Sequence, residues 1–152
     1  MEYDFVEKVE RCLARYGIAP GQIRLEITER MISEKPERTR EIMQQLTEKG
    51  ILFYLDDFGM GYSNFAGVLS LPIETIKLDL TLVHGAFESE RKLLVLESLV
   101  TMLCKAGYSV VAEGIETEEQ ENTLRILGAD RLQGFYYYRP MPEEEIVRLF
   151  QK

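Results

Sequence analysis

The sequence predicts an α/β fold built on a parallel sheet, and three observations support this prediction. After one opening helix, short apolar segments typical of strands alternate with amphipathic helical segments five times. Helical crossovers between consecutive strands make the strands parallel. Acidic residues stand at or near the ends of four of the five strands. An open doubly wound sheet and an incomplete (β/α)8 barrel both fit 152 residues, since a full barrel takes about 200 or more.

The first part of the chain predicts two helices and two strands. Apolar residues at helical spacing indicate a helix over residues 4–16. A short strand over 23–29 follows and closes in acids. Pro36 is placed to open the second helix, which stops at Gly50 because glycine favours helix ends. The apolar run 51–55 then predicts a buried strand.

The second part continues the same alternation. Thr117 and Gln120 have the spacing of a capping box, which marks the start of a helix. The predicted elements, in order, are a short helix over 65–69, a strand over 75–80, a helix over about 90–106, a strand over 108–116, a helix from Thr117 to Gly128, a strand over 131–137 and a final helix after Pro142.

Composition limits the possible functions. A formal net charge of −8 argues against binding a nucleic-acid polymer through a basic surface. Cys12 and Cys104 lie on apolar helix faces and are interpreted as buried thiols of a reducing compartment. No segment is long and apolar enough for a membrane helix, and the acidic N-terminus does not resemble a signal peptide. We therefore expect a cytoplasmic protein.

Polar side chains gather at the predicted carboxyl ends of the strands, the edge where parallel α/β folds build their sites. Asp56 and Asp57 close an apolar strand, and glycines soon after them indicate a sharp turn. Charge at the end of a buried strand requires a partner cation, because unpaired buried charge is costly. The full set comprises Glu26 and Glu29, Asp56 and Asp57, Lys77 and Asp79, Glu113 and Glu116, and Gln133.

This set is rich in oxygen and contains no cysteine or histidine, so it favours Mg²⁺ or Mn²⁺ over Zn²⁺. Two such ions would clamp a phosphodiester and generate a hydroxide nucleophile. Lys77, among carboxylates, would orient that water or stabilise developing charge. Each acid taken alone has a simpler interpretation as a helix cap or a solvated charge. His84, the lone histidine, is interpreted as an ordinary loop residue.

Five groups of motifs resemble the EAL-domain family of cyclic di-GMP phosphodiesterases in order and spacing. They are Leu25-Glu26-Ile27-Thr28-Glu29, Asp56-Asp57-Phe58-Gly59-Met60-Gly61-Tyr62-Ser63, Leu71-Pro72 with Ile76-Lys77-Leu78-Asp79, Val111-Ala112-Glu113-Gly114-Ile115-Glu116-Thr117, and Gln133-Gly134-Phe135 with Arg139-Pro140. The resemblance covers residues 1–152 as a single partial EAL domain. It implies a (β/α)8-like, TIM-type barrel that opens cyclic di-GMP to its linear form with Mg²⁺ or Mn²⁺.

The resemblance also implies a role for each matching residue. The implied metal ligands are Glu26, Asp56, Asp57 and Glu113; the implied catalytic residues are Lys77, Glu113 and Gln133; Glu29 would anchor the loop 57–64 and Glu116 would support the site; the implied substrate-binding residues are Asp79, Phe135 and Arg139.

The chain departs from the family pattern at its start. Roughly the first third of the domain has no counterpart, including a Glu-x-Leu-x-Arg strand and a strand with a metal-binding Asn. Met60 also replaces a residue that is usually small or Thr. We expect weaker metal binding and open sheet edges that pair with a second copy or a partner chain. Two functions follow: a metal-dependent phosphodiesterase, or a degenerate, non-catalytic module that binds cyclic di-GMP or a protein.

Overall fold

Residues 4–59 and 65–151 are described by a computed structural model, which contains one sheet of parallel strands. The strands are β1 (Arg24–Thr28), β2 (Leu52–Phe58), β3 (Ile73–Leu78), β4 (Ser109–Ala112) and β5 (Arg131–Leu132). The helices are α1 (Phe5–Tyr16), α2 (Glu29–Glu34), α3 (Pro36–Glu48), α4 (Phe65–Leu69), α5 (Leu80–Ala86), α6 (Glu90–Lys105), α7 (Glu118–Leu127) and α8 (Glu143–Phe150), with a 3₁₀ turn at Pro20–Gln22.

The order of the strands decides between the two architectures left open by the sequence. The sheet runs β1-β2-β3-β4-β5, so every strand pairs in parallel with its neighbour along the chain. A doubly wound sheet would reverse its order at one point. Consecutive order is the pattern of a barrel, and this sheet is not closed. The prediction of an incomplete (β/α)8-like barrel is therefore confirmed.

Several predicted boundaries were wrong, and local capping explains two of them. The strand predicted over 75–80 ends at Leu78, because the Asp79 side chain accepts a 2.7 Å hydrogen bond from the Thr81 N–H and caps α5. His84 therefore lies on a helix rather than in a loop. The strand predicted over 23–29 ends at Thr28, whose side chain caps α2.

The other boundaries differ at the carboxyl ends of strands. The strand predicted over 51–55 continues through both aspartates to Phe58. The strands predicted over 108–116 and 131–137 stop at Ala112 and Leu132, and irregular backbone follows them. The irregular segments hold Glu113 and Gln133, so loops as well as strands carry the polar residues of this edge.

The apolar core lies between the outer face of the sheet and the helices. Phe53, Leu55 and Ile76 are almost fully buried on that face. Helices α3 and α6 cover them with buried residues such as Leu46 and Leu96. Alternate strand residues face the inner side of the sheet, because successive side chains on a strand point to opposite faces. The outer face of the sheet thus packs on the helices, and its inner face is available for polar residues.

The prediction of two buried thiols was half wrong. Cys12 is exposed, because α1 buries only Leu13. Cys104 is half-buried, and its Sγ lies 3.3 Å from the Gly128 carbonyl oxygen. Both cysteines are free.

Among the helices of the described residues, none combines the length and apolar character that a membrane crossing needs.

Candidate active site

Lys77 is the centre of a cluster of charged side chains at the carboxyl edge of the sheet. Its Nζ lies 2.8 Å from Asp56 Oδ1, 2.8 Å from Glu113 Oε1 and 2.9 Å from Glu26 Oε1. These residues come from β1, β2, β3 and the segment that follows β4. The parallel register sets Glu26 beside Tyr54 and sets Lys77 beside Val111, so neighbouring strands deliver the four side chains to one point.

The Lys77 side chain is 10% exposed, whereas those of Glu113, Asp56 and Glu26 are 17%, 23% and 50% exposed. Burial alone would lower the pKa of Lys77, but hydrogen bonds to Asp56, Glu113 and Glu26 outweigh it and raise the pKa. Lys77 is therefore an ammonium at neutral pH. In this state it can orient a water or stabilise negative charge, and it cannot accept a proton.

Asp57 is adjacent to the cluster and has an unusual backbone. Its φ is +56°, in the left-handed region that few residues other than glycine adopt. The residue is exposed, at the point where β2 leads into Gly59. Partial desolvation and the charges of Asp56 and Asp79 raise the pKa of the Asp57 carboxyl. A carboxyl with a raised pKa next to other acids indicates a place where a cation would be favourable.

Two cavities border the cluster and bring in other predicted residues. A cavity of about 440 Å³ is lined by Glu26, Lys77 and Gln133, together with Tyr54 and other residues of the inner face. A second cavity of about 210 Å³ lies against the segment after β4. Its lining includes Glu113, Glu116, Gln133, Phe135 and His84. Glu113 and Gln133 thus lie where both the cluster and the second cavity can be reached.

Phe135 and Arg139 form a contact at the edge of the second cavity. The Arg139 guanidinium carbon lies 4.5 Å from the centroid of the Phe135 ring, which is a cation–π distance. Phe135 is 52% exposed. An exposed aromatic ring beside a cation suits a planar ligand with negative charge.

Two predicted residues make contacts of other kinds than the ion pairs of Lys77. Asp79 is buried and accepts hydrogen bonds from the backbone and side chain of Thr81. Glu29 is buried at the first position of α2. The loop that Glu29 is predicted to anchor extends past Gly59 through residues 60–64, which lie outside the described residues. Met60, one of the departures from the family pattern, also lies there.

One contact on the inner face was not predicted. The Arg131 guanidinium donates a 2.6 Å hydrogen bond to the Tyr54 hydroxyl, and its carbon lies 5.9 Å from that ring. The two residues are on β5 and β2, which are separated in the sheet by β3 and β4. Their sequence separation of 77 residues explains why no local pattern indicated it.

The carboxylate oxygens of the cluster suit a divalent metal, although they also contact the Lys77 ammonium. Carboxylate oxygens, here from β1, β2 and the segment after β4, are the ligands that Mg²⁺ and Mn²⁺ prefer. Within residues 4–59 and 65–151, no group of three or more His, Cys, Asp or Glu side chains is arranged to hold a metal ion. The Lys77 ammonium stands at the point where three carboxylates meet. A bound metal would therefore share these carboxylates with Lys77.

Comparisons with known proteins identify the family of the chain. A family model described as EAL domain matches residues 1–140. The cyclic di-GMP phosphodiesterase RocR of Pseudomonas aeruginosa is 33% identical over 141 residues, which cover 93% of this chain and 36% of RocR. The chain spans about a fifth of the length of several other curated relatives.

Two solved structures have the same fold. The PaMucR phosphodiesterase, in complex with c-di-GMP, superposes with a TM-score of 0.88 at 31% identity, over 95% of this chain and 59% of that chain. BlrP1 of Klebsiella pneumoniae, a calcium and cyclic di-GMP complex, has a TM-score of 0.83 at 32% identity, over 91% of this chain and 35% of that chain. Because the EAL domain model matches residues 1–140 and these structures share the fold, the chain belongs to the EAL domain family. Members of this family include cyclic di-GMP phosphodiesterases.

Proposed function

We propose that this chain is the larger part of an EAL domain that hydrolyses cyclic di-GMP to its linear form with Mg²⁺ or Mn²⁺. The observation that supports this most is the Lys77 cluster, in which carboxylates from β1, β2 and the segment after β4 meet one ammonium. Phosphodiesterases of this family are generally metal-dependent. The relatives RocR and PaMucR are named as phosphodiesterases, and PaMucR was solved with the cyclic dinucleotide.

Glu26, Asp56, Asp57 and Glu113 are the proposed metal ligands, with Gln133 beside them. Bound Mg²⁺ or Mn²⁺ would supply charge for the phosphodiester and an activated water. Lys77 would hold that water through its ammonium hydrogens, because its raised pKa leaves it as a donor. Glu29 and Glu116 would support the loops of the site. Asp79, Phe135 and Arg139 are the proposed substrate-binding residues.

The test is hydrolysis of cyclic di-GMP by the purified chain, with Mn²⁺ and with chelator. We expect turnover that requires Mn²⁺ and that Asp56→Asn lowers by about 100-fold or more, because the amide removes one charged ligand. Asp4→Asn is the matched control, since the half-exposed Asp4 carboxylate, just before α1, pairs with Lys8 of that helix. The control should keep wild-type activity.

Two outcomes would contradict the phosphodiesterase proposal. One is turnover that persists in chelator. The other is no turnover from folded protein at any Mn²⁺ concentration. If the folded chain binds cyclic di-GMP without turnover, and Asp56→Asn and Lys77→Ala leave binding unchanged, the chain is instead a non-catalytic binding module.

We further propose that a second copy or a partner chain pairs with the open edges of the sheet. β1 and β5 are terminal strands of the sheet, and unpaired edges favour association with another chain. Helix α8 has no buried residue, and its Ile146, Val147 and Phe150 are 42%, 45% and 87% exposed. These features together offer hydrogen-bonding edges and an apolar surface to an incoming chain.

We also propose a cytoplasmic location, in keeping with two free cysteines.

Light scattering after size-exclusion chromatography tests this association. We expect the purified chain to have a mass of at least two chains, because burial of the α8 face and the edges stabilises the assembly. Phe150→Glu should shift the mass toward one chain, whereas Glu143→Gln on the same helix should not. A mass of one chain over a hundredfold concentration range, with no added partner, would rule out self-association and leave a different partner chain.

A further inference from the structure

We propose that His84 is a positioning residue that holds the backbone after Glu113 and thereby keeps the Glu113 carboxylate on Lys77. The Nε2 atom of His84 lies 2.5 Å from the carbonyl oxygen of Gly114. A carbonyl only accepts, so Nε2 donates. The bond joins α5 to the segment that follows β4, across 30 residues of sequence. Its role in the reaction depends on the proposed function, and its role in ordering this segment does not.

Helix α5 is well placed for this task because it starts directly after the strand that carries Lys77. Asp79 caps its first turn, so the helix has a defined orientation relative to β3. Leu80 in that turn lies against Gly114: a Cβ added there would stand 2.6 Å from Leu80 Cβ and 3.0 Å from His84 Nε2. The Gly114 backbone thus rests on α5.

The same segment is held on its other sides by backbone bonds. The Glu113 N–H donates to the Leu78 carbonyl at 3.2 Å, and the Ile115 N–H donates to the Gln133 carbonyl at 3.0 Å. Gly114 lies between them with a φ of +73°, a conformation open to glycine at little cost. Backbone carbonyls thus hold the N–H groups of Glu113 and Ile115, whereas the His84 side chain holds the carbonyl of Gly114.

Loss of the His84 bond should let this peptide rotate, because glycine restricts it little. The Ile115 N–H belongs to the same peptide, so its bond to Gln133 would open more often. Glu113 directly precedes Gly114, and its carboxylate lies 2.8 Å from Lys77 Nζ. If the backbone at Gly114 became mobile, this carboxylate would spend more time away from Asp56 and Glu26.

The test compares His84→Leu with His84→Gln. Leucine fills the space but cannot donate, whereas the glutamine amide places an N–H at about the reach of Nε2. The first readout is hydrogen–deuterium exchange of a peptide that spans 113–117, with a peptide from α6 as the internal reference. The second is the dissociation constant for Mn²⁺, and the third is kcat at saturating cyclic di-GMP.

We expect His84→Leu to speed exchange of the 113–117 peptide by about tenfold while the α6 peptide is unchanged, as expected for one lost hydrogen bond. Mn²⁺ binding should weaken by about tenfold, since outer groups that orient a ligand have effects of this size. His84→Gln should restore both values to within about twofold of the original.

Equal exchange in His84→Leu and the original chain would overturn the proposal, as would equal defects in the leucine and glutamine variants. Faster exchange in both peptides would mean a general loss of stability, which also contradicts a positioning role. If the original chain neither binds Mn²⁺ nor hydrolyses the dinucleotide, the proposed function fails. The exchange comparison then still decides whether His84 orders the segment after Glu113.

Discussion

Lys77→Met should strongly reduce hydrolysis and at the same time tighten divalent-metal binding. Nζ is the shared partner of Glu26, Asp56 and Glu113, at 2.8 to 2.9 Å. Methionine keeps most of the side-chain volume and removes the charge. Without the ammonium, turnover should fall on the order of 10²–10³-fold, the effect of losing one group that stabilises developing charge.

Metal binding should change in the opposite direction because Lys77 competes for the same oxygens. Two cations about 4 Å apart repel strongly in a partly buried site, so the Mn²⁺ dissociation constant of Lys77→Met should fall by about tenfold or more. In chelator, the free energy of unfolding should drop by about 2–4 kcal/mol, because three carboxylates lose their counter-ion. Added Mn²⁺ should recover most of that loss.

Calorimetric titration with Mn²⁺ and thermal unfolding with and without the ion measure these two effects. Lys92→Met is the matched control, because Lys92, in the first turn of α6, pairs with Glu88 just before that helix and its side chain is 57% exposed. The control should keep the Mn²⁺ affinity and stability of the original chain. An unchanged or weaker Mn²⁺ affinity in Lys77→Met would mean that these carboxylates do not form the metal site.

Gly134→Ala should damage both folding and the site through a single methyl group. An added Cβ would stand 2.0 Å from the Ile115 carbonyl oxygen and 2.2 Å from its nitrogen, far inside contact distance. Both obstacles are backbone atoms, so a rotamer change cannot relieve the clash. We expect the free energy of unfolding to fall by about 3 kcal/mol or more, at the upper end of overpacking effects.

The position of this clash also predicts a functional loss. Gly134 follows Gln133, and Ile115 lies two residues after Glu113. Separating the two segments would break the bond between the Ile115 N–H and the Gln133 carbonyl and would move both polar side chains. Mn²⁺ affinity and turnover should therefore fall together, even at temperatures where the variant remains folded.

Urea unfolding and Mn²⁺ titration check this prediction. Gly85→Ala is the control, because a Cβ on that residue of α5 meets no neighbouring atom of the described residues within 4 Å. Alanine favours a helix over glycine by about 1 kcal/mol, so this variant should be equally stable or slightly more stable. If Gly134→Ala unfolds at the same urea concentration as the original chain, the Gly134 and Ile115 backbones do not lie in the close contact described above.

Local patterns were enough to predict the parallel α/β fold. Helical periodicity, apolar strand segments and capping signals depend on a few neighbouring residues, and the capping box of Thr117 and Gln120 is present as predicted. Strand ends were less predictable. Asp79 was predicted as a site acid at the end of a strand, and no local pattern indicated that its side chain also caps α5 by accepting from the Thr81 N–H.

Local sequence patterns predict the alternation of strands and helices and the presence of carboxylates, a lysine and an amide at the carboxyl ends of strands. Family motifs then linked these residues to cyclic di-GMP hydrolysis. Tertiary structure alone decided that Lys77 meets three acids, that Arg131 reaches Tyr54 and that His84 holds Gly114. These contacts join residues 21 to 77 positions apart. Sheet curvature and helix packing set such distances, and no local sequence pattern encodes them.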